Sequence, residues 1–442
     1  MQNKVFYFIG IGGIGMSSIA RYLMELGAQV GGYDKTPSTI TSSLEESGAF
    51  ITFQEEVEIL PDAFKQRDVR VIFTPAVPSS HPQLQFFEKQ GNERMKRAAF
   101  LGEITNSMST LAVAGTHGKT TTTSILAHFF LSLQSPFTAF VGGMMNAHKS
   151  NLISTGRNVA LVEADEFDRS FLQLSPNIAC ITSTDADHLD VYGTADEVFD
   201  SYRAFGNKVS DVLVVEKRVP LEGVTYSIYE KADYSITAIA PEGFGYRFDL
   251  TSPKGSYQRL YFSQLGLHNL SNALAAFAMA SEFGLNEQQL STAFSTFEGV
   301  DRRLQLIVEN NRHVLIDDYA HHPTEINAVF ETLENAYPEE RKCAIFQPHL
   351  FSRTRDFMDD FATALSQFDE VILLSIYPAR ELPIVGINAE ALAEKISTKV
   401  NVSVIEKHQL LAQVALISAR VKVVLGAGDI GLEVEKIKQK LI

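Results

Sequence analysis

Cysteine, tryptophan and basic residues are all scarce in this chain of 442 residues. It contains two cysteines and no tryptophan, and 38 basic side chains stand against 53 acidic ones. Cys180 and Cys343 lie far apart within apolar runs, which excludes a disulfide framework and indicates buried thiols in a reducing compartment. The formal net charge of −15 argues against a nucleic-acid polymer as partner, since that binding needs many cations that neutralise phosphates.

Long apolar runs are missing as well. Spanning a bilayer takes about 20 apolar residues, and the candidate stretch is shorter. The uncharged stretch 5–20 resembles a signal-peptide core, but four glycines interrupt it and no small-residue cleavage pattern follows. We therefore expect a cytoplasmic protein without a membrane partner, either a monomer or a weak homo-oligomer. Any anionic substrate must be held by local cationic sites.

At about 100–200 residues per domain, the length predicts two to four domains, and we expect three. Hydrophobic residues make up 45% and charged residues 21% of the chain, which sets aside a disordered or fibrous protein. Short apolar runs alternate with amphipathic stretches, a rhythm typical of α/β domains with parallel sheets. The runs expected to form strands are 5–9, 71–73, 111–114, 159–162, 178–181, 212–215, 344–346, 371–374 and 421–425.

Residues 224–262 break this rhythm, because apolar and polar residues there partly alternate as in antiparallel hairpins. We place these hairpins at the edge of a middle domain. Helical periodicity returns over 269–283 and 287–297, and strand–helix alternation resumes at Val314. The predicted domains are residues 1–108, 109–298 and 299–442.

A glycine loop, Gly10-Ile11-Gly12-Gly13-Ile14-Gly15, follows the first expected strand and precedes a helix. Asp34 comes 19 positions after Gly15, at the end of a second strand. This pattern is typical of a dinucleotide-binding turn, in which glycines let the backbone approach a diphosphate at a helix N-terminus. The pattern specifies a diphosphate, so NAD and a UDP-sugar both satisfy it, and a purely structural glycine turn is the alternative.

The second glycine loop runs from Gly115 to Thr121 with the sequence Gly-Thr-His-Gly-Lys-Thr-Thr. It joins an apolar strand to a helix that is expected to begin near Thr120. Backbone N–H groups and Lys119 suit the β- and γ-phosphates of a nucleotide, and the Thr120 hydroxyl suits Mg²⁺. The match to the general phosphate-loop pattern is partial, because Val113 stands where that pattern has glycine; the alternative is a structural turn.

Acidic clusters follow two further strands of the middle domain, at 163–166 and at 185–190. In an open parallel sheet the ligand lies beyond the carboxyl ends of the strands, so both clusters should face the phosphate loop. Glu163 with Thr120 is a suitable Mg²⁺ site, whereas a histidine ligand such as His188 is less usual for so hard a cation. A helix cap or an indirect contact to the metal is the alternative for His188.

Two more polar groups lie in the last third of the chain. Arg302 and Arg303 can clamp a phosphate or carboxylate, although surface solvation explains them equally well. Asp318, His321 and His322 follow the strand near Val314 and are candidates for accepting a proton. Arg353 and Arg355 add cations after a later strand, and with Lys119 these side chains could line one cleft.

Six motifs in this order resemble the Mur ligases of peptidoglycan synthesis over essentially the whole chain. They are Gly-Thr-His-Gly-Lys-Thr-Thr at 115–121, Glu-Ala-Asp-Glu at 163–166, Asp-His-Leu-Asp at 187–190, His-Asn-Leu-Ser-Asn at 268–272, Asp-Arg-Arg at 301–303 and Asp-Tyr-Ala-His-His-Pro at 318–323.

The resemblance implies three domains: a Rossmann-like N-terminal domain, a central P-loop ATPase domain with an antiparallel edge, and a C-terminal Rossmann-like α/β domain that brings in the amino acid. It implies ATP and Mg²⁺ as co-substrate and metal. The residues expected to bind the UDP-sugar are Gly10, Gly12, Gly13, Gly15 and Asp34. Those expected to bind ATP are Gly115, Thr116, His117, Gly118, Lys119, Thr120, Thr121, Asn269, Asn272 and Arg302, with the two asparagines at its adenine. Those expected to hold the metal are Thr120, Glu163 and His188.

Within the family, the later motifs favour the type that adds L-alanine to the lactyl carboxylate of UDP-N-acetylmuramate through an acyl phosphate. Several members of later steps carry a carbamylated lysine about fifteen residues after the histidine equivalent to His188, and no lysine lies between His188 and Asn207. Gln347-Pro348-His349 is also of the alanine-adding type, although Leu350 stands where many have arginine and Thr74-Pro75-Ala76 replaces a common Ser-Ser-Ala.

The resemblance places His321 and His322 near the entering amino acid, and the third domain is expected to close over the second before chemistry, since water would hydrolyse an acyl phosphate. The alternatives are a family member that recycles the murein tripeptide, an NAD-dependent oxidoreductase that uses the first glycine loop, and a nucleotide-binding regulator without catalysis.

Overall fold

The computed structural model describes residues 4–185, 189–379 and 381–442. Three sheets flanked by helices make up this α/β fold, one for each domain. By packing, the chain forms two compact units. The first contains residues up to 239, 247–262 and 271–298, and the second contains 240–246, 263–270 and 299–442. No helix in the described ranges has the length and apolar character needed to cross a membrane.

The first sheet has five parallel strands in the order β3-β2-β1-β4-β5. Its central strand β1 is an apolar run that is almost wholly buried, as expected for a parallel sheet covered on both faces. The strands are β1 Val5–Ile9, β2 Gln29–Tyr33, β3 Phe50–Thr52, β4 Arg70–Phe73 and β5 Arg94–Lys96. The helices are α1 Ile14–Glu25, α2 Thr39–Glu46, α3 Pro82–Gln90 and α4 Arg97–Thr105, with a 3₁₀ turn at Asp62–Lys65.

The second sheet has ten strands in the order β15-β14-β13-β12-β11-β10-β6-β9-β7-β8. Its strands are β6 Ser109–Ala114, β7 Thr138–Met145, β8 Ser150–Ser154, β9 Val159–Glu163, β10 Ile178–Ile181, β11 Val212–Glu216, β12 Val224–Ser227, β13 Tyr234–Glu242, β14 Gly245–Ser252 and β15 Gly255–Phe262. Its helices are α5 Lys119–Ser132, α6 Leu189–Tyr192, α7 Ala195–Gly206, α8 Leu267–Glu282 and α9 Glu287–Ala293, with 3₁₀ turns at Phe167–Gln173 and Phe294–Thr296.

Both ends of this second sheet depart from the parallel pattern. At one end β8 pairs antiparallel with β7. At the other, β13, β14 and β15 are neighbours joined by two-residue turns, and such short turns connect antiparallel strands. The middle of the sheet is parallel, with β6 between β9 and β10. Loops at the carboxyl ends of these three strands therefore lie side by side. The expected antiparallel hairpins over 224–262 are wrong for β12, which pairs parallel with both β11 and β13.

The third sheet has six strands in the order β16-β17-β21-β18-β19-β20, parallel except for the antiparallel edge strand β16. Its strands are β16 Gln305–Glu309, β17 Val314–Asp318, β18 Lys342–Phe346, β19 Glu370–Leu374, β20 Asn401–Ile405 and β21 Val421–Leu425. Its helices are α10 Pro323–Ala336, α11 Phe351–Asp356, α12 Met358–Leu365, α13 Ala389–Ala393, α14 Leu410–Val414 and α15 Val434–Leu441, with 3₁₀ turns at Lys407–Gln409 and Asp429–Glu433.

One apolar cluster runs through the first two domains. It contains Phe8 of β1 and Phe100 of α4 together with Phe140 of β7 and Val162 of β9. At the same interface Tyr22 of α1 meets Phe140 edge to face, with ring centroids 5.3 Å apart. Because the core is shared, these domains form one compact unit. The nine expected strands and the α/β class are confirmed, whereas the domain boundaries stay a prediction.

Candidate active site

The phosphate loop lies between β6 and α5, with its backbone shaped by two glycines. Gly115 has φ +134° and Gly118 has φ +85°, conformations that favour glycine. A Cβ on Gly115 would also stand 2.1 Å from Thr182 Oγ1. The Thr182 hydroxyl donates to the His117 carbonyl at 2.5 Å, and the Thr116 hydroxyl donates to the Asp185 carbonyl at 2.7 Å. The chain after β10 therefore fixes the conformation of the loop.

Lys119 begins α5, and its ammonium points back across the loop. Lys119 Nζ donates to the Gly115 carbonyl at 2.7 Å and lies 2.8 Å from Glu166 Oε2. Burial lowers the lysine pKa, but the carboxylates of Glu166, Asp165 and Glu163 outweigh it and the net shift is upward. Burial raises the pKa of Glu166 to about 7, although Lys119 opposes this. The loop thus carries a charged ammonium with a buried counter-ion.

Thr120 and Glu163 meet at the carboxyl end of β9. The Thr120 hydroxyl donates to both Glu163 oxygens, at 3.0 and 2.9 Å, and the Gly142 N–H donates to Glu163 Oε2 at 2.8 Å. A hydroxyl and a carboxylate are hard oxygen donors that fit Mg²⁺, whose other ligands would be phosphate oxygens and water. His188, the third expected ligand, lies outside the described residues.

Thr121 and the two asparagines expected near adenine are placed as follows. Thr121 is buried in the first turn of α5. Asn272 lies against the phosphate loop, because a Cβ on Gly118 would stand 2.3 Å from Asn272 Oδ1. Asn269 Nδ2 donates to the Leu265 carbonyl at 2.8 Å within its own segment. A contact of either asparagine with adenine stays a prediction.

The first glycine loop lies between β1 and α1, as expected. Asp34 Oδ2 accepts the Gly12 N–H at 2.7 Å, so the acidic residue after β2 orders this loop. A Cβ on Gly10 would stand 2.6 Å from the Thr74 side chain, which places the segment after β4 over the loop. Gly13 caps α1 without a side-chain hydrogen bond, and the first turn of α1 contains no acidic residue. The loop and helix end are suited to an anion.

Arg302 is engaged by its own domain. Its Nε lies 3.3 Å from Asp317 Oδ2, its Nη2 donates to the Gly426 carbonyl at 2.5 Å, and its guanidinium lies 5.2 Å from the Tyr319 ring centroid. Burial raises the pKa of Asp317 to about 6, although Arg302 opposes the shift. To bind a phosphate, Arg302 must exchange these partners for it.

Three candidate bases lie at the end of β17 or just after it, and their environments differ. Asp318 is buried and accepts the N–H groups of Leu304 and Ala320, both at 2.7 Å. Burial raises the pKa of Asp318 to about 6. His322 is the N-cap of α10, where it accepts the Thr324 N–H at 3.4 Å.

His321 lies beside these two residues with its ring partly exposed. Its Nδ1 is 3.0 Å from the Tyr319 carbonyl, and its ring centroid is 5.9 Å from that of His349. Leu350, the departure noted in the sequence, is buried next to His349 with φ +72°, and its N–H donates to the Tyr377 carbonyl at 2.9 Å.

Three family models match consecutive parts of the chain. The model "Mur ligase family, catalytic domain" matches residues 5–108, "Mur ligase middle domain" matches 113–280, and "Mur ligase, glutamate ligase domain" matches 302–430. The chain belongs to the Mur ligase family. Both glycine loops fall within regions that ligase models match. This membership favours a ligase over the two alternatives from the sequence, an NAD-dependent oxidoreductase and a nucleotide-binding regulator without catalysis.

Individual Mur ligases are similar over the full length. The UDP-N-acetylmuramate–L-alanine ligase of Flavobacterium johnsoniae is 49% identical over 442 residues, covering 100% of this chain and 98% of the relative. The crystal structure of the UDP-N-acetylmuramate–alanine ligase of Thermotoga maritima has a TM-score of 0.85, with 26% identity and 99% of each chain covered. A murein peptide ligase of Psychrobacter arcticus has a TM-score of 0.72 at 20% identity, again with 99% of each chain covered, and shares the fold.

Two residues of this Mur ligase that sequence reasoning did not single out lie at the glycine loops. Glu166 is the counter-ion of Lys119, and Arg97 lies against Gly15 while pairing with Asp165. Glu166 comes after β9, which is an apolar run, and that position is the signal that could have found it, because side chains after parallel strands gather at the ligand-binding edge. Arg97 follows β5, a three-residue strand of Arg, Met and Lys without an apolar pattern, so the sequence holds no such signal for it.

Proposed function

We propose that this Mur ligase joins L-alanine to the lactyl carboxylate of UDP-N-acetylmuramate, with conversion of ATP to ADP and phosphate. The observation that carries the proposal is the 49% identity over the whole chain to a ligase of that name. The site supports it with two anion-binding loops in one compact unit, Gly10–Gly15 for the sugar nucleotide and Gly115–Thr121 for ATP.

In the first step a lactyl carboxylate oxygen attacks the γ-phosphorus of ATP. The bond from this phosphorus to the bridging oxygen breaks, ADP leaves, and an acyl phosphate forms. Phosphorylation is needed because oxide is too poor a leaving group for an amine to displace. Lys119 neutralises phosphate charge, and the loop N–H groups orient the γ-phosphate in line with the carboxylate.

Thr120 and Glu163 are the described residues that would hold Mg²⁺, together with His188 by resemblance. The bound ion supplies positive charge to the β- and γ-phosphate oxygens. Glu163 is oriented for this role by the Gly142 N–H, which fixes one carboxylate oxygen. The Thr120 hydroxyl donates to both Glu163 oxygens, which keeps the two metal-binding side chains together.

In the second step the amine nitrogen of alanine attacks the acyl carbon, phosphate leaves, and a base takes the amine proton. We propose His321 as this base. Asp318 is occupied by two backbone N–H groups and His322 caps α10, so both serve the backbone. The His321 ring is one-fifth exposed, and imidazole is the side chain that most often transfers protons in enzymes. Arg302 would stabilise phosphate charge after exchanging Asp317 for it.

We also propose that the reaction takes place in the cytoplasm, where ATP is available, and that the enzyme is a monomer or a weak homo-oligomer. Sedimentation over a range of protein concentrations measures the oligomeric state.

An ADP-release assay with UDP-N-acetylmuramate tests the reaction and compares L-alanine, L-serine, glycine and the free murein tripeptide. We expect dependence on ATP and Mg²⁺ and the highest kcat/KM with L-alanine. A preference for the tripeptide would favour the recycling activity instead. ADP release that ignores the amino acid, or turnover that needs a nicotinamide, would overturn the proposal.

A further inference from the structure

Arg97 connects the first glycine loop with the acidic segment after β9. An ideal Cβ on Gly15 would stand 2.8 Å from Arg97 Nη1, so the guanidinium lies against the first turn of α1. The other amino group, Nη2, lies 3.1 Å from Asp165 Oδ2. A side chain at position 15 would push the guanidinium away from the first turn of α1.

Positive charge from several sources gathers at this junction. Arg97 is itself the first residue of α4, and neither α1 nor α4 has an acidic residue in its first turn or a side-chain cap. Two positive helix ends and a guanidinium thus converge, an arrangement that is unfavourable unless negative charge is nearby. Asp165 provides some of it to the arginine, with a side chain that is 38% exposed, and Asp34 provides some at the Gly12 N–H.

Asp165 holds the guanidinium in a defined direction. Its Oδ1 accepts the Phe167 N–H at 3.1 Å, so the carboxylate is itself fixed by the backbone. The Arg97 side chain is only 19% exposed and lines one cleft with Glu163 and Asp165. The cleft therefore brings together Glu163, the carboxylate proposed to bind the metal, and Arg97, whose guanidinium lies against the first glycine loop.

We propose that Arg97 binds the diphosphate of the sugar nucleotide at the start of α1, and that Asp165 is the positioning residue that orients its guanidinium. This inference rests on the proposed function. The planar fork of arginine presents one amino group to Asp165 and another towards Gly15, which suits simultaneous contact with a carboxylate and a phosphate. Since Asp165 follows Glu163 by two residues, the same short segment orients the sugar nucleotide and the metal ligand.

Titration calorimetry with UDP and with UDP-N-acetylmuramate, both without ATP, tests the contact in R97A and R97K. We expect R97A to bind both ligands about ten- to a hundredfold more weakly, the usual range for a lost charged hydrogen bond. R97K should recover part of this loss, because lysine keeps the charge without the fork. ADP binding should be unchanged, and circular dichroism reports whether each variant is folded.

Steady-state kinetics test Asp165 as a positioning residue, because loss of this role should change KM and not kcat. In D165N we expect the KM for UDP-N-acetylmuramate to rise several-fold with kcat within about twofold, and D165E should recover the wild-type KM. The matched control is K96Q, which removes the neighbouring ion pair between Lys96 and Asp168, 2.7 Å apart. Both partners of that pair are more than a third exposed, and we expect K96Q to bind UDP like the wild type.

Unchanged UDP binding by folded R97A would overturn the inference. It would also fail if R97A weakened UDP-N-acetylmuramate but not UDP, since the contact would then be to the lactyl carboxylate. If K96Q lost as much UDP affinity as R97A, any positive charge at the junction would suffice. That result would contradict a specific contact between Arg97 and the diphosphate. Failure of the proposed function looks different: the wild type would bind UDP through Arg97 but release no ADP with alanine.

Discussion

Lys119 and Glu166 form an ion pair in which Nζ lies 2.9 Å from Oε1 and 2.8 Å from Oε2 of the carboxylate. The ammonium also donates to the Gly115 carbonyl. The lysine that is expected to bind phosphates is therefore already bound to the protein. A nucleotide must compete with Glu166 for it.

Replacing Glu166 with glutamine removes this competing charge. E166Q should bind ADP more tightly than the wild type at pH 8, on the order of tenfold. For the wild type, affinity should rise as pH falls from 8 to 6, because Glu166, with its pKa raised to about 7, takes up a proton and releases Lys119. Calorimetry across this range measures both effects. In E166Q, the ADP affinity should keep only the pH dependence that comes from the titration of ADP itself. Parallel curves of affinity against pH for the two proteins would contradict competition between Glu166 and the nucleotide for Lys119.

Lys119→Ala should nearly abolish ADP release and leave sugar-nucleotide binding intact. Losing a preorganised contact to transition-state charge costs about 2.7–4 kcal/mol, on the order of a hundredfold or more in rate. Single-turnover ADP release measures the rate, and calorimetry with UDP-N-acetylmuramate measures binding. K208A, at an exposed lysine of the same compact unit, is the control. Turnover by K119A at the wild-type rate would remove the phosphate loop from the mechanism.

Glu163→Gln should raise the Mg²⁺ concentration needed for half-maximal ADP release, on the order of tenfold or more, because an ionised carboxylate is the stronger ligand. The amide can still accept the Gly142 N–H, so the loop should keep its shape. ADP binding in EDTA should be no weaker than in the wild type. A magnesium titration identical to that of the wild type would count against Glu163 as a ligand.

Arg302→Ala should destabilise the second compact unit by about 3 kcal/mol, since it leaves Asp317 buried without its cation. R302A/D317N should recover part of the lost stability. The Asp317 pKa is raised from 3.8 to about 6, so the folded state favours the protonated carboxyl. The stability that this protonation contributes is fully present below pH 4 and is lost as pH rises through 6. Thermal unfolding should therefore show a larger deficit for R302A at pH 8 than at pH 5. Equal deficits would mean that Asp317 is not the cause.

The sequence predicts much of this fold because the buried parallel strands are continuous apolar runs, such as Val5–Ile9 and Ile178–Ile181. Both glycine loops are predictable too, since the backbone at Gly115 and Gly118 favours glycine. The partners of the loops are not. Lys119 and Glu166 are 47 positions apart and meet because β6 and β9 are neighbours, which spacing along the chain does not encode.

Asp318 illustrates the same limit for the third domain. In the sequence it is one acidic group in a cluster and a reasonable base. In the fold it lies at the end of β17, where both oxygens accept backbone N–H groups of Leu304 and Ala320. Its function as a backbone ligand depends on tertiary contacts that the motif does not contain.

In the proposed mechanism, ATP phosphorylates the lactyl carboxylate of the sugar nucleotide before alanine attacks. The most direct measurement uses UDP-N-acetylmuramate with both lactyl carboxylate oxygens labelled with ¹⁸O, incubated with ATP, Mg²⁺ and L-alanine. Mass spectrometry of the products should find one ¹⁸O in the released phosphate and the other in the new amide carbonyl. Phosphate without ¹⁸O, formed together with the amide product, would contradict the acyl phosphate and with it the proposed mechanism.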